Sequence, residues 1–233
     1  MEIQVVSLGL TDYLAAWRLQ QAVHACCQAR GENVLLVTEH YPVVTLGYRQ
    51  QAEHLRLSRR ELEAKGIAVV ESGRGGGATY HGPGQLVAYP IFSTLFRRRG
   101  VRTFISLLED VMCGLGASYS IAATRRHGFP GVWVEERKLG AVGIAVRHGT
   151  SLHGIALNVS IDLTPFSYII PCGIPDLVPT SIAQEVKCAV AINEAAQRMC
   201  DAFATVFAVP VEEANNEWRS GKRETLWRAV DHD

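Results

Sequence analysis

The sequence predicts an α+β fold, with a mixed, mainly antiparallel sheet flanked by helices. Three observations point there. Thr103 to Ala117 and Cys188 to Phe207 repeat apolar residues at helical spacing. Gly131 to Leu163 reads as strand, turn and strand again (GVWVEE, LGAVGIAVRHG, SLHGIALNVSIDL), the pattern of an antiparallel meander. The regular strand–helix alternation of a doubly wound sheet is missing.

Taken in order, Thr11 or Asp12 can N-cap a helix running to about Arg30, and Gly31 is placed to end it. Asn33 to Thr38 is a short apolar run of strand type, and Val43 to Leu46 is a second after Pro42. Arg56 to Lys65 suits a polar helix closed by Gly66. Ile67 to Glu71 reads as a strand entering a glycine cluster, and Leu86 to Phe92 as the strand leaving it. In the helix from Thr103, Phe104, Leu107, Leu108, Val111 and Leu115 share one side. The tail from about Glu212 is polar and suits a peripheral surface helix. With no repeat and no Pro/Ser-rich linker, residues 1–233 read as one domain.

Composition narrows the class. Lys+Arg 23 against Asp+Glu 23 argues against a nucleic-acid partner held by bulk positive charge. No apolar run is long enough for a membrane span. The start, MEIQVVSLGLTDYL, lacks the basic region of a secretory signal. Six cysteines (26, 27, 113, 172, 188 and 200) are too sparse for a disulfide scaffold, so a reduced, cytoplasmic protein is expected. Cys113, Cys188 and Cys200 fall in expected helices. Cys26, Cys27 and His24 lack a second ligand pair at zinc-like spacing, so no metal is expected. Trp17, Trp133, Trp218 and Trp227 read as packing residues.

The densest chemistry lies in Ser72 to Tyr89, SGRGGGATYHGPGQLVAY, where six of the 21 glycines fall between Gly73 and Gly84. Such density marks sharp turning or close approach of backbone to something else. The string lacks the Lys of a phosphate-binding P-loop and the following helix of a dinucleotide fingerprint. Arg74, Thr79, Tyr80, His81 and Gln85, set between glycines, suit a ligand-binding loop; a tight structural turn is the plainer alternative.

RGGGATYHGPGQLVAYP resembles the signature of the lipoyl(octanoyl) transferases, with Arg74, Gly75, Gly76, Thr79, Tyr80, His81, Gly82, Gly84, Gln85 and Tyr89 filling its positions. The likeness runs from about His40 to Ile182 and implies the fold of biotin/lipoate protein ligase catalytic domains. It also implies two catalytic residues, Cys172 in IIPCGIPDLVPTSI and Lys138 in VEERKLGAVGI. Taken alone, a lysine is ordinarily a solvated charge and a cysteine a small buried apolar group. Cys172, among Pro171, Gly173, Pro175 and Pro179, instead suits an irregular loop. A free thiol is only slightly ionised at neutral pH, so it needs a cation or base beside it, and Lys138 could be either. His81 is the rival base.

By the family pattern the substrate site comprises Arg74, Gly75, Gly76, Gly77, Ala78, Thr79, Tyr80 and His81, with Ala141, Val142, Gly143, Gly154, Ile155 and Ala156. The implied reaction moves an octanoyl group from acyl carrier protein to a lysine of a lipoyl domain, in 2-oxoacid dehydrogenases or the glycine cleavage H protein. It passes through a cysteine acyl-thioester and needs no cofactor, because the thioester already activates the acyl group. A monomer is expected. Arg97, Arg98, Arg99 and Arg102 could dock an acidic carrier or form only a solvated turn. The alternatives are an ATP-dependent lipoate- or biotin-type ligase, a non-catalytic acyl or lipoyl-domain binder, and a thioester hydrolase.

Overall fold

A computed structural model of the chain describes residues 1–48 and 54–214. The chain begins with β1 (Ile3–Thr11), α1 (Tyr13–Arg30), β2 (Asn33–His40) and β3 (Val43–Leu46). Then come α2 (Arg59–Ala64), β4 (Ala68–Glu71), β5 (Ala78–His81) and β6 (Gln85–Phe92). Helices α3 (Thr94–Arg97) and α4 (Gly100–Ala117) precede β7 (Thr124–Arg126), β8 (Phe129–Val134), β9 (Arg137–Arg147) and β10 (Thr150–Asn158). The last elements are β11 (Val178–Pro179), α5 (Ile182–Val186), α6 (Ile192–Phe207) and β12 (Val211–Glu213).

The fold is α+β with an antiparallel-dominated sheet. Among the described residues the main sheet has nine strands, in the order β12-β1-β2-β6-β10-β9-β8-β7, with β11 paired to β9. The pairs from β2 through β7 are antiparallel, and β1–β12, β1–β2 and β11–β9 are parallel. A second sheet, β4-β3-β5, holds the glycine-rich segment.

The main sheet has a core on each face. On one, α4 and α6 pack Phe104, Leu108, Val111, Phe203 and Phe207 around Phe92. Phe92 meets Phe104, Phe203 and Phe207 edge-on at 5.4–6.2 Å between ring centres, the geometry that aromatic quadrupoles favour. On the other face α1 packs Ala16, Leu19 and Val23 over Val34, Leu36, Val87, Tyr89 and Ala156. The small sheet has its own core, including Val44, Leu62, Tyr80 and Phe166.

Local signals explain several boundaries. Asp12 caps α1 by accepting from the Ala15 N–H, and Gly31, at φ 70°, ends it. Ser58 and Glu61 form a reciprocal capping box, so α2 starts three residues later than Arg56. Four expectations are corrected. Ile3–Thr11 is a strand on which no element was expected. Ala78–His81 is a strand within the expected loop, held by pairing with β3. Lys187 turns left-handed at φ 57° and Ala191 is extended, so α6 starts at Ile192 and Cys188 lies exposed in a bend outside any helix. Glu212 and Glu213 belong to β12, whereas the rest of the expected tail helix, with Trp218 and Trp227, lies outside the described residues.

No helix among the described residues is long and apolar enough to cross a membrane. Phe92→Ala should cost about 3–5 kcal/mol, because the ring is fully buried among three other aromatic rings. Urea unfolding of the variant and the parent chain measures the loss.

Candidate active site

The site forms where β9 and β10 meet the glycine-rich segment and the turn after β10. Lys138 is the second residue of β9 and is 6% exposed. Its backbone carbonyl accepts from the Thr180 N–H at 2.9 Å, within the pairing of β9 with β11. Its ammonium donates to the Pro130 carbonyl at 3.0 Å and to Cys172 Sγ at 3.5 Å. The same Nζ lies 4.9 Å from the centre of the Trp133 ring. A buried charge needs such compensation, and here a carbonyl, an aromatic face and a sulfur supply it.

Cys172 lies in a 3-10 turn, Pro171–Gly173, and is partly exposed. Its backbone is left-handed, at φ 59° and ψ 13°, a conformation that costs a side-chain-bearing residue about 1–2 kcal/mol. The turn is pinned by Ile170 N–H to the His54 carbonyl at 2.7 Å and by Arg56 to the Pro175 carbonyl at 2.6 Å. The His54 ring lies against Gly173 and Gly77, bringing the cysteine turn and the glycine segment together.

Two adjoining cavities, about 510 and 330 Å³ including their open mouths, share Thr79, Ala141, Ala156 and Cys172 as walls. Arg74, Gly75, Gly76, Gly77, His81, Val142, Gly143, Gly154 and Ile155 also line the larger one. Lys138 lines the smaller, beside Asn158 and Phe166. Ala78 and Tyr80 turn the other way, into the core of the small sheet, as the alternation of β5 requires. Gly143 allows the close layering: a Cβ there would press on the Gly75 carbonyl and the Arg74 side chain.

Arg74 is buried, and its N–H groups donate to neutral acceptors, the Thr45 hydroxyl and carbonyl and the Gly75 carbonyl. Burial pushes its pKa down, while neighbours including Tyr13 and Cys172 act in the opposite sense. The result is a cation at the cleft wall without a carboxylate in those bonds, a setting that favours negative charge nearby. From Arg74 a chain of contacts runs through Thr45 to His81 at 3.4 Å, from His81 to Gln85 at 2.6 Å, and on to Asn158 at 2.8 Å. Asn158 then donates to the Thr180 carbonyl at 2.8 Å, next to the strand end that holds Lys138.

His81 is thus turned toward Thr45 and Gln85, while the amine beside the sulfur is that of Lys138. Burial, His40 and Arg74 push the His81 pKa down to about 3. Burial likewise lowers His40 to about 4 and His153 to about 3. Sequence reasoning missed several residues at the site. Tyr13, Val87 and His153 line the larger cavity, together with Tyr89 of the signature string, and Trp133 lies beneath the Lys138 ammonium. For His153 the available signal was its place beside Gly154; Tyr13, at the start of α1, offered none.

Two outcomes follow. The three histidines stay neutral in the folded chain, whereas the unfolded chain protonates them near pH 6.5. Their contribution is therefore fully present above about pH 6.5 and lost as pH falls toward their folded values. Between about pH 6 and 4 each adds roughly 1.4 kcal/mol per pH unit to the acid slope of stability. His40→Gln should flatten the slope by about one such step, read from urea unfolding against pH. Separately, Cys172→Gly should unfold about 1 kcal/mol less readily than Cys172→Ala, since only glycine takes the left-handed conformation without strain. Equal stability of the two would remove the strain argument.

The lipoyl protein ligase A/B catalytic domain family matches residues 12–204. An octanoyltransferase of Desulfotalea psychrophila is 43% identical over 207 residues, covering 87% of this chain and 93% of that protein. An octanoyltransferase of Nitratidesulfovibrio vulgaris is 44% identical over 184 residues, covering 79% and 84%. In fold, the chain is similar to a crystal structure of lipoate-protein ligase A bound with ATP, at a TM-score of 0.80, 20% identity, and coverage of 99% of this chain and 94% of that one. The chain belongs to the lipoyl protein ligase A/B catalytic domain family and, within it, to the octanoyltransferases, which are acyltransferases.

Proposed function

We propose that the chain transfers an octanoyl group from the thioester of an acyl carrier protein to a lysine of a lipoyl domain, through an acyl-thioester on Cys172. The observation that carries the reading is the Lys138 ammonium 3.5 Å from Cys172 Sγ, where two cavities adjoin. One cavity can hold the acyl chain while the other receives the donor thiol or acceptor amine.

In the first half-reaction the Cys172 thiolate attacks the octanoyl carbonyl. The new S–C bond forms as the carrier's C–S bond breaks, and the leaving thiolate takes a proton from Lys138. In the second, the acceptor lysine attacks the acyl-enzyme. A C–N bond forms, the C–S bond to Cys172 breaks, and neutral Lys138 takes the amine proton, which restores the starting pair. Each step gathers charge on the carbonyl oxygen. The Gly75 N–H is engaged by the Ile144 carbonyl and the Gly173 N–H by the Ile170 carbonyl. We assign oxyanion stabilisation to the Gly76–Gly77 stretch and to the field of Arg74.

Because the donor is already a thioester, the proposed cycle draws on no cofactor. The acyl-enzyme lets the two protein partners use the site in turn. Arg97 and Arg98 are exposed and suit an acidic carrier, whereas Arg99 is tied to the Leu95 carbonyl and lies over Phe207.

Incubation with octanoyl carrier protein, read by intact mass, should give one octanoyl adduct. Cys172→Ala should give none, and Lys138→Ala should acylate at least about 100-fold more slowly. Transfer retained in Cys172→Ala would overturn the covalent route. Product formed only from free octanoate and ATP would make the chain a ligase, free octanoate from the thioester a hydrolase, and stable binding without turnover an acyl carrier.

A further inference from the structure

His153 lines the larger cavity and pairs with Ile144 on β9, six residues along that strand from Lys138. It is 1% exposed, yet neither ring nitrogen has a hydrogen-bond partner. With no hydrogen bond to orient it, the ring is held by packing alone and presents an uncharged face to the cavity. Its backbone is left-handed, at φ 57°, which is rare within a strand. The turn places His153 on the α1 side next to Leu152, where it stacks on Trp17 at 4.5 Å with the planes 6° apart. Gln20 on α1 holds the arrangement by accepting from the His153 N–H at 3.0 Å.

The position along β10 gives a length. Ala156 lines both cavities together with Cys172 and pairs with Ala141, three residues along β9 from the lysine that meets the sulfur. From Ala156 to His153 is three residues, roughly 10 Å at a strand's rise of ~3.3 Å per residue. That is about the reach of an extended eight-carbon chain whose carbonyl carbon sits at the sulfur. Gly154, between them, lets β10 lie close on β6, since a Cβ there would collide with the Ala88 carbonyl.

We propose that His153, backed by Trp17, forms the end wall of the acyl slot and sets the longest chain the enzyme accepts. The inference rests on the octanoyl-transfer reading and adds its ruler. A medium, unbranched acyl tail fits, and its terminal methyl meets the open side of the stacked imidazole. Longer chains would have to displace a ring pinned between Trp17 and the backbone held by Gln20.

The test compares octanoyl and dodecanoyl carrier thioesters in single-turnover acylation of the full chain, with adducts located by peptide mass. His153→Ala should raise the dodecanoyl-to-octanoyl rate ratio at least about ten-fold, since a pocket rejects even one surplus methylene by that order. Trp17→Ala, which removes the backing and not the ring, should raise it in the same direction, and His153→Phe should keep it low. Circular dichroism establishes that each variant folds; if His153→Ala does not, Trp17→Ala decides. A ratio unchanged in the folded variants, with octanoyl still found on Cys172, overturns the ruler alone. Absence of any Cys172 adduct in the parent chain overturns the transfer reading beneath it.

Discussion

The structure around the site depends on one buried ammonium. Removing Lys138 from water is tolerable only because the Pro130 carbonyl, the Trp133 face and Cys172 Sγ converge on it. Each of the three is fixed by something else. Gly131, at φ 122°, follows Pro130 in β8, and a Cβ there would collide with the Gly140 carbonyl. Its N–H donates to the buried carboxylate of Glu109 on α4 at 2.9 Å, so a helix on the far face of the sheet aims the carbonyl that receives the lysine. Thr180 holds the Lys138 backbone, and Glu185 joins Thr180 to Arg137.

The acyl cleft is assembled differently. Its walls come from a helix start, two strand centres and a glycine segment that closely approaches β9. The polar contacts from Arg74 to Asn158 tie the small sheet to the large one. Such a network is rigid when satisfied and expensive when opened. Among the described residues that line the two cavities, the charged side chains are both cations, Arg74 and Lys138, and Lys138 lies against the Cys172 sulfur. This polarity suits chemistry in which negative charge appears first on sulfur and then on oxygen.

Much of this was legible in the residues. Asp12 and Gly31 bound α1, and the apolar stripe of α4 and the alternating strands after Gly131 carry local periods that tertiary packing preserves. The glycine string and the segments holding Cys172 and Lys138 directed attention to side chains that the fold brings to one cleft. What stayed hidden was non-local. β1 is half-exposed and exists by pairing with β2 and β12, while β5 depends on β3. Trp133 reads as an ordinary packing residue until the hairpin places it, and Tyr13 carries no signal until α1 brings it to the cleft. His153 reaches the cleft through a backbone conformation that its residue type does not announce.

The central sheet also separates two tasks. The cleft opens on the α1 side, whereas the aromatic cluster of Phe92, Phe104, Phe203 and Phe207 lies on the other face, beneath α4 and α6. Three links cross the sheet: Glu109, and the cavity walls Ile155 and Val142, which also pack into the core of the aromatic cluster. Thermal robustness is therefore most freely bred into the α4–α6 contact itself, at positions that leave Ile155, Val142 and Glu109 alone, while turnover is tuned from the α1 side.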